Sequence, residues 1–169
     1  MMKKSIAVLW MMGLLMASNA LASNYYYDNY AFDAESQGKP SYFYFNLKES
    51  YSLDPTNEYR SLVLCKSDEN YFCVKDGLFN FAVPVGPLKV GDNWKIEGRD
   101  FAVKKEIELK LLGKSEQTYL ISSKTNKHLK FQFFYSIEHG LLGFSITSLD
   151  DENTEMYFLR EDKGLGSRN

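Results

Sequence analysis

The chain has 169 residues, with 20 Lys and Arg against 22 Asp and Glu, a formal charge of −2, two histidines and two cysteines. That length suits one domain with a real core, and a mildly acidic balance with Lys and Glu interspersed argues against a nucleic-acid partner. Twelve Tyr and twelve Phe, with Val and Ile, in a chain poor in Met and Ala past its first 22 residues favour strands over helices.

Lys3 and Lys4 precede an apolar run over residues 6–16, and Ala20-Leu21-Ala22 supplies the small side chains of a cleavage site before Ser23. Together these predict a secretory signal peptide over residues 1–22. The apolar run is shorter than the roughly 20 residues of a membrane span. No cysteine stands at the cut, so no lipid anchor is indicated and the mature chain is not membrane-anchored. The double lysine and Ala-Leu-Ala ending point to a Gram-negative bacterium, and hence to the periplasm or the medium. Cleavage leaves 147 residues, moves the formal charge to −4, and leaves Met156 and Trp94 as the sole Met and Trp.

Residues 23–40 read as a tyrosine-rich tail. Tyr25, Tyr26, Tyr27, Tyr30 and Phe32 are followed by a small-residue polar spacer ending in Gly38-Lys39-Pro40. These aromatics either dock on the domain as an edge strand or form an exposed partner-binding segment, since Tyr offers large contact area at low entropic cost.

A β domain is expected over residues 41–160. Tyr42-Phe43-Tyr44-Phe45 is aromatic on both faces, as in a strand covered on both sides, and Asp54-Pro55-Thr56-Asn57 is a turn. Residues 61–65 and 71–75 flank Ser67-Asp68-Glu69-Asn70, and counting outward from Glu69 sets Cys65 opposite Cys73. Antiparallel partners lie about 4.5–5.5 Å apart at Cα, within disulfide range, so an oxidised pair is predicted in an exported chain. Residues 78–83, stopped by Pro84 and followed by Gly86-Pro87, read as a loop or crossing segment.

A meander follows. Residues 94–97 turn at Gly98-Arg99-Asp100 into residues 101–112, where Phe101, Val103, Ile107, Leu109 and Leu111 are assigned to one face and Lys104, Glu106, Glu108 and Lys110 to the other. Lys105 is the exception on the apolar face. Gly113-Lys114-Ser115 turns into residues 118–122, which lead to the clearest element, residues 129–146. There Leu129, Phe131, Phe133, Tyr135 and Ile137 alternate with polar neighbours, and Leu141, Leu142, Phe144 and Ile146 resume after Glu138-His139-Gly140. This is a β-hairpin with Gly140 in the left-handed conformation that closes its turn. A turn at residues 150–153 precedes a last strand over residues 155–160, and residues 161–169 are read as a polar, fraying end. Regular turns between alternating strands predict an all-β fold, a single antiparallel sandwich or small barrel built largely of hairpins.

The chemistry-bearing residues are sparse. His128 and His139 have no metal spacing and there is no cysteine cluster, so no metal and no cofactor is expected. His139 is read as a turn residue, since a triad would need a nucleophile and an orienting acid. Glycoside hydrolysis needs two carboxyls across a cleft; the acid pairs Asp68-Glu69, Glu106/Glu108 and Asp150-Asp151-Glu152 sit in turns or on a Lys-rich strand face and are read as solvated. Asp150-Asp151-Glu152-Asn153 offers oxygen ligands for weak calcium binding but lacks the spacing of a calcium loop and is read as a polar turn. The expected function is non-catalytic binding of an envelope or extracellular protein, in the manner of an inhibitor or immunity protein, or of a small apolar or glycan ligand. A small hydrolase using carboxylates or His139, and a structural part of a surface assembly, are the competing classes.

Overall fold

The structure, a computed structural model, describes residues 23–30, 41–65, 70–111, 113–124 and 128–168. The expected signal peptide, Phe32 and the spacer after it lie outside these residues. Thirteen strands and no helix are present among the described residues.

Ten strands form one antiparallel sheet. In spatial order they are β4 (Tyr59–Ser61), β3 (Tyr51–Leu53), β2 (Tyr42–Asn46), β1 (Asn24–Asn29), β13 (Thr154–Leu159), β12 (Gly140–Ser148), β11 (Leu129–Ser136), β10 (Lys114–Lys124), β9 (Arg99–Leu111) and β8 (Asn93–Ile96). Each neighbour is the next strand in sequence except at one place, where β1 pairs with β13 and joins the two ends of the chain. The three strands between β4 and β8 form a separate sheet, β5 (Val63–Leu64), β6 (Tyr71–Lys75) and β7 (Asn80–Pro84).

The small sheet packs its rings against one face of the large one. Phe79 lies 4.7 Å from Phe45, 5.0 Å from Phe144 and 5.8 Å from Phe133 between centroids, and Phe81 lies 5.1 Å from Phe133. Most of these pairs are tilted or edge-on, the arrangement that the ring quadrupole favours. Trp94 of β8 adds a hydrogen bond from its indole N–H to the Ala82 carbonyl, 3.2 Å away. Residues 80–84 are thus a buried strand, where a loop or crossing segment was expected. Pro84 fits because it ends that strand.

Cys65 and Cys73 form a disulfide with their Cα atoms 5.1 Å apart, and Cys65 N–H also donates to the Cys73 carbonyl at 3.0 Å. The bridge therefore extends the β5–β6 ladder by one register position.

Three expectations need correction. Within the tyrosine-rich segment, Asn24–Asn29 form an interior strand, neither a tail nor a sheet edge. Tyr25 and Tyr27 are buried in the core, and β1 has a partner on each side. Its alternation drives this, because Tyr25 and Tyr27 turn inward while Tyr26 and Asp28 turn outward.

The polar C-terminal end is seated on the fold as a strap. Leu165 is fully buried, its N–H donates to the Tyr27 hydroxyl, and that hydroxyl donates to the Leu141 carbonyl. Gly164 N–H donates to the His139 carbonyl, the Tyr135 hydroxyl to the Gly166 carbonyl, and Arg168 to the carbonyls of Pro84 and Gly86. One buried leucine and these bonds hold a segment whose composition is otherwise that of a free end.

The third correction concerns β9. Its register against β10 shifts between Leu120 and Ile121, leaving Lys104 as an extra residue. A bulge of this kind reverses which face each later side chain takes. Val103 pairs with Ile121, whereas Lys105 pairs with Leu120 and Ile107 with Thr118. Ile107, Leu109 and Leu111 therefore lie on the face opposite Phe101 and Val103, together with Lys105. Lys105, which broke the expected pattern, follows directly on the bulged Lys104.

Candidate functional site

The side chains of the large sheet that point away from the small one form an aromatic band of two ring clusters, with Asp28 and Arg160 between them. Across the strands, Phe134 of β11 faces Gly143, Gly143 faces Phe158 of β13, Phe158 faces Asp28 of β1, and Asp28 faces Tyr42 of β2. One pleat along, Tyr26 faces Tyr44, Tyr44 faces Leu53, and Leu53 faces Tyr59 on the edge strand β4.

The rings touch in two groups. Phe134 lies 5.8 Å from Phe158, and Phe158 lies 5.7 Å from Tyr30. Tyr26 lies 4.6 Å from Tyr44, Tyr44 5.6 Å from Tyr51, and Tyr51 stacks on Tyr59 at 5.1 Å. From β11 to β4 the band crosses six interstrand steps, about 29 Å at roughly 4.8 Å each. Gly143 makes the crossing at β12 possible, since a Cβ there would stand 2.6 Å from the Phe158 ring.

Polar groups hold the band in place. Arg160 lies 4.8 Å above the Tyr26 ring and forks onto the Asp28 carboxylate at 2.6 and 2.9 Å. The Tyr44 hydroxyl donates to Asn24 at 2.9 Å and accepts from the Asn46 amide. Burial, and next the neighbouring Tyr51 hydroxyl, pushes the Tyr44 phenol up to about 12, so it stays neutral. At the β4 edge, Arg60 binds the buried Asp54 carboxylate at 2.9 Å, and the same carboxylate caps the turn through Thr56 N–H and Glu58 N–H. Burial alone would raise Asp54, but the bonds from Thr56 and Arg60 outweigh it and hold the carboxyl below its ordinary value. Tyr59 is thus carried on a strand that is anchored although it lies at the sheet margin.

Of the residues singled out in sequence, Tyr26 and Tyr30 belong to this band, with Tyr30 exposed at 78 %. Tyr25 and Tyr27 are buried in the core. Tyr42, Tyr44, Tyr51, Tyr59, Phe134 and Phe158 were not picked out. The available signal was the alternation in Tyr42-Phe43-Tyr44-Phe45, where the hydroxyl-bearing rings face out and the phenylalanines face in. The outer rings of β2 cover one another.

Glu138, His139 and Gly140 lie together at the turn between β11 and β12, where Gly140 is buried with φ +79°. His139 Nε2 lies 3.4 Å from Glu116 Oε1 and 3.9 Å from Glu138 Oε1. The hollow beside it, lined by Leu111, Lys114, Glu116, Leu142, Glu161 and Asp162, has a volume of about 30 Å³. That is room for about one water. The hollow is lined by an imidazole, three acids and Lys114, and the Ser136 hydroxyl accepts from His139 N–H at 3.3 Å. His139→Asn is expected to leave stability within about 0.5 kcal/mol in chemical denaturation, as for ordinary surface changes. A larger loss would show that the Glu116 contact carries structural weight.

Two open clefts flank the core at opposite ends of the large sheet. One, of about 350 Å³, is lined by Phe43, Leu78, Leu129, Ile146 and Tyr157. The other, of about 380 Å³, is lined by Tyr25, Leu47, Leu64, Phe72 and Gly166. Among the described residues no group of three His, Cys, Asp or Glu could hold a metal ion, and no helix is long and apolar enough to cross a membrane. No family model matches the chain, and neither a curated protein nor a solved structure matches it.

Proposed function

We propose that this is an exported, non-catalytic binding protein that engages a protein partner through the aromatic band on the outer face of its large sheet. The two sheets then act as a sandwich whose inner face is filled by rings, leaving the outer face as the working surface. The observation that carries this reading is the band itself: two clusters of three and five Tyr and Phe rings on one face, with Tyr30 and Tyr59 exposed at 78 % and 65 %. Tyr and Arg are the residues enriched at the centres of protein interfaces, where they bury large area at small entropic cost. Exposed rings such as Tyr30 and Tyr59, set beside further half-buried rings on one face, mark a surface suited to a partner.

Two further observations support the class. The Cys65–Cys73 disulfide fits an oxidising compartment outside the cytoplasm, in keeping with the secretory start of the sequence. The Glu116–His139 pair opens on a hollow of only about 30 Å³, small for a substrate. Blocking an enzyme by surface complementarity, as inhibitors and immunity proteins do, requires a face of this kind and no catalytic group.

A photo-crosslinking residue placed at Tyr30 or Tyr59 in the producing cell tests this, with Lys95 on β8 as the control position. Adducts with one protein from positions 30 and 59, and none from 95, are expected. Tyr30→Ser combined with Tyr59→Ser should then weaken that complex by about 2 kcal/mol or more, with the fold unchanged. Equal adducts at all three positions, or none at 30 and 59, would sink the reading.

A further inference from the structure

The long strand β9 is only partly covered on its outer edge. β8 pairs with it over residues 99–102, and two last bonds, Val103 N–H to the Asp92 carbonyl and Gly91 N–H to the Val103 carbonyl, end that contact. From residue 104 to 111 the backbone bonds to β10 alone, and no other backbone hydrogen bond reaches this stretch among the described residues. The Thr118 hydroxyl donates to the Ile107 carbonyl, which places that carbonyl on the β10 side. Strand alternation then turns the N–H and C=O groups of Glu108 and Lys110 toward the open edge. Such an edge is a template for another strand.

The side chains specify which strand fits. Glu108 and Lys110 are exposed on one face, and Ile107, Leu109 and Leu111 are half-buried on the other. We propose that this edge pairs antiparallel with the same edge of a second copy of this chain, about a two-fold axis that sets Leu109 opposite Leu109. In that register Glu108 of each copy faces Lys110 of the other, and Ile107 faces Leu111. Four charges become two complementary pairs, and the apolar side chains meet apolar side chains. The neighbouring registers fail on charge. Centring on Ile107 opposes Glu106 with Glu108 and Lys104 with Lys110, and centring on Glu108 or Lys110 puts like charges at the axis itself. The bulge at Lys104, with Lys105 beside it, ends the usable edge on one side, and the turn at Gly113 ends it on the other. A two-fold contact made by one short strand from each copy gives a weak, reversible dimer.

Sedimentation equilibrium of the purified protein from about 10 to about 500 µM, the range in which small interfaces associate, provides the test. The wild type should dimerise. Glu108→Lys sets lysine against Lys110 twice, and Lys110→Glu sets glutamate against Glu108 twice. Each should weaken association about tenfold or more, since like charges directly opposite are destabilising. An equimolar mixture of the two single variants should form a heterodimer, and the double variant should dimerise as the wild type does. Both positions are exposed, so circular dichroism should be unchanged in all of them. A wild type that stays monomeric throughout overturns the proposal and leaves the edge to a strand from another protein. A dimer indifferent to either reversal, or single variants that do not rescue one another, overturns it equally.

Discussion

Gly140→Val is expected to destabilise the protein by about 3–5 kcal/mol, the sum of a left-handed backbone forced on a β-branched residue and an overpacked contact. Gly140 has φ +79°, and a Cβ there would stand 2.6 Å from the Gly164 carbonyl oxygen, 2.6 Å from Ser167 N and 2.8 Å from the Leu165 carbonyl oxygen. All three are backbone atoms of the C-terminal strap, so no side chain can swing aside. The substitution therefore strains the β11–β12 turn and lifts the strap from Tyr27 and Leu141 together. Urea unfolding of the two proteins measures it. A loss below about 1 kcal/mol would mean that the strap is not seated on this hairpin.

Phe79→Ala should cost a similar amount, about 3–5 kcal/mol, as a fully buried ring replaced by a methyl leaves a cavity. Phe79 touches Phe45 of β2, Phe131 and Phe133 of β11 and Phe144 of β12, so its removal empties the junction between the two sheets. The loss should appear in one cooperative transition, with the β5–β7 sheet and the large sheet melting together. Hydrogen exchange during denaturation separates the cases. A small sheet that unfolds first, at unchanged stability of the rest, would show that Phe79 is not the joint between them.

What could be read from the sequence was local. The hairpin over residues 129–146, the meander before it and the opposition of Cys65 and Cys73 all follow from period-two alternation and turn residues a few positions apart. The hairpin also contained a puzzle, since Leu141 and Leu142 cannot both face one side of a regular strand. The structure resolves it with a register shift between Phe134 and Tyr135, where Leu142 is the extra residue. What could not be read depended on distant partners. Tyr25 and Tyr27 carry no local mark that separates a core strand from a sticky tail, because tyrosine suits both and the deciding neighbour, β13, is more than 120 residues away. Leu165 is one apolar residue among polar ones, and only the Tyr27 hydroxyl and the Leu141 backbone give it a place. The aromatic band was hidden for a related reason. Its rings are scattered through six strands in sequence and become one surface only when the register aligns them.

The pairing of the first strand with the last has a kinetic side. Asp28 and Arg160, the fork that clamps β1 to β13, are 132 residues apart in the chain, so the middle of the large sheet is its most non-local part. Contacts of that separation form late, because the loop entropy is lost before any contact compensates it. A chain still emerging from a ribosome or a translocation channel holds β1 and β2 as an unfinished hairpin with an open aromatic flank. It can complete the sheet only when residues 154–168 are free. A chain cut short before residue 154 lacks the strand that pairs with β1 and leaves that edge of the sheet open.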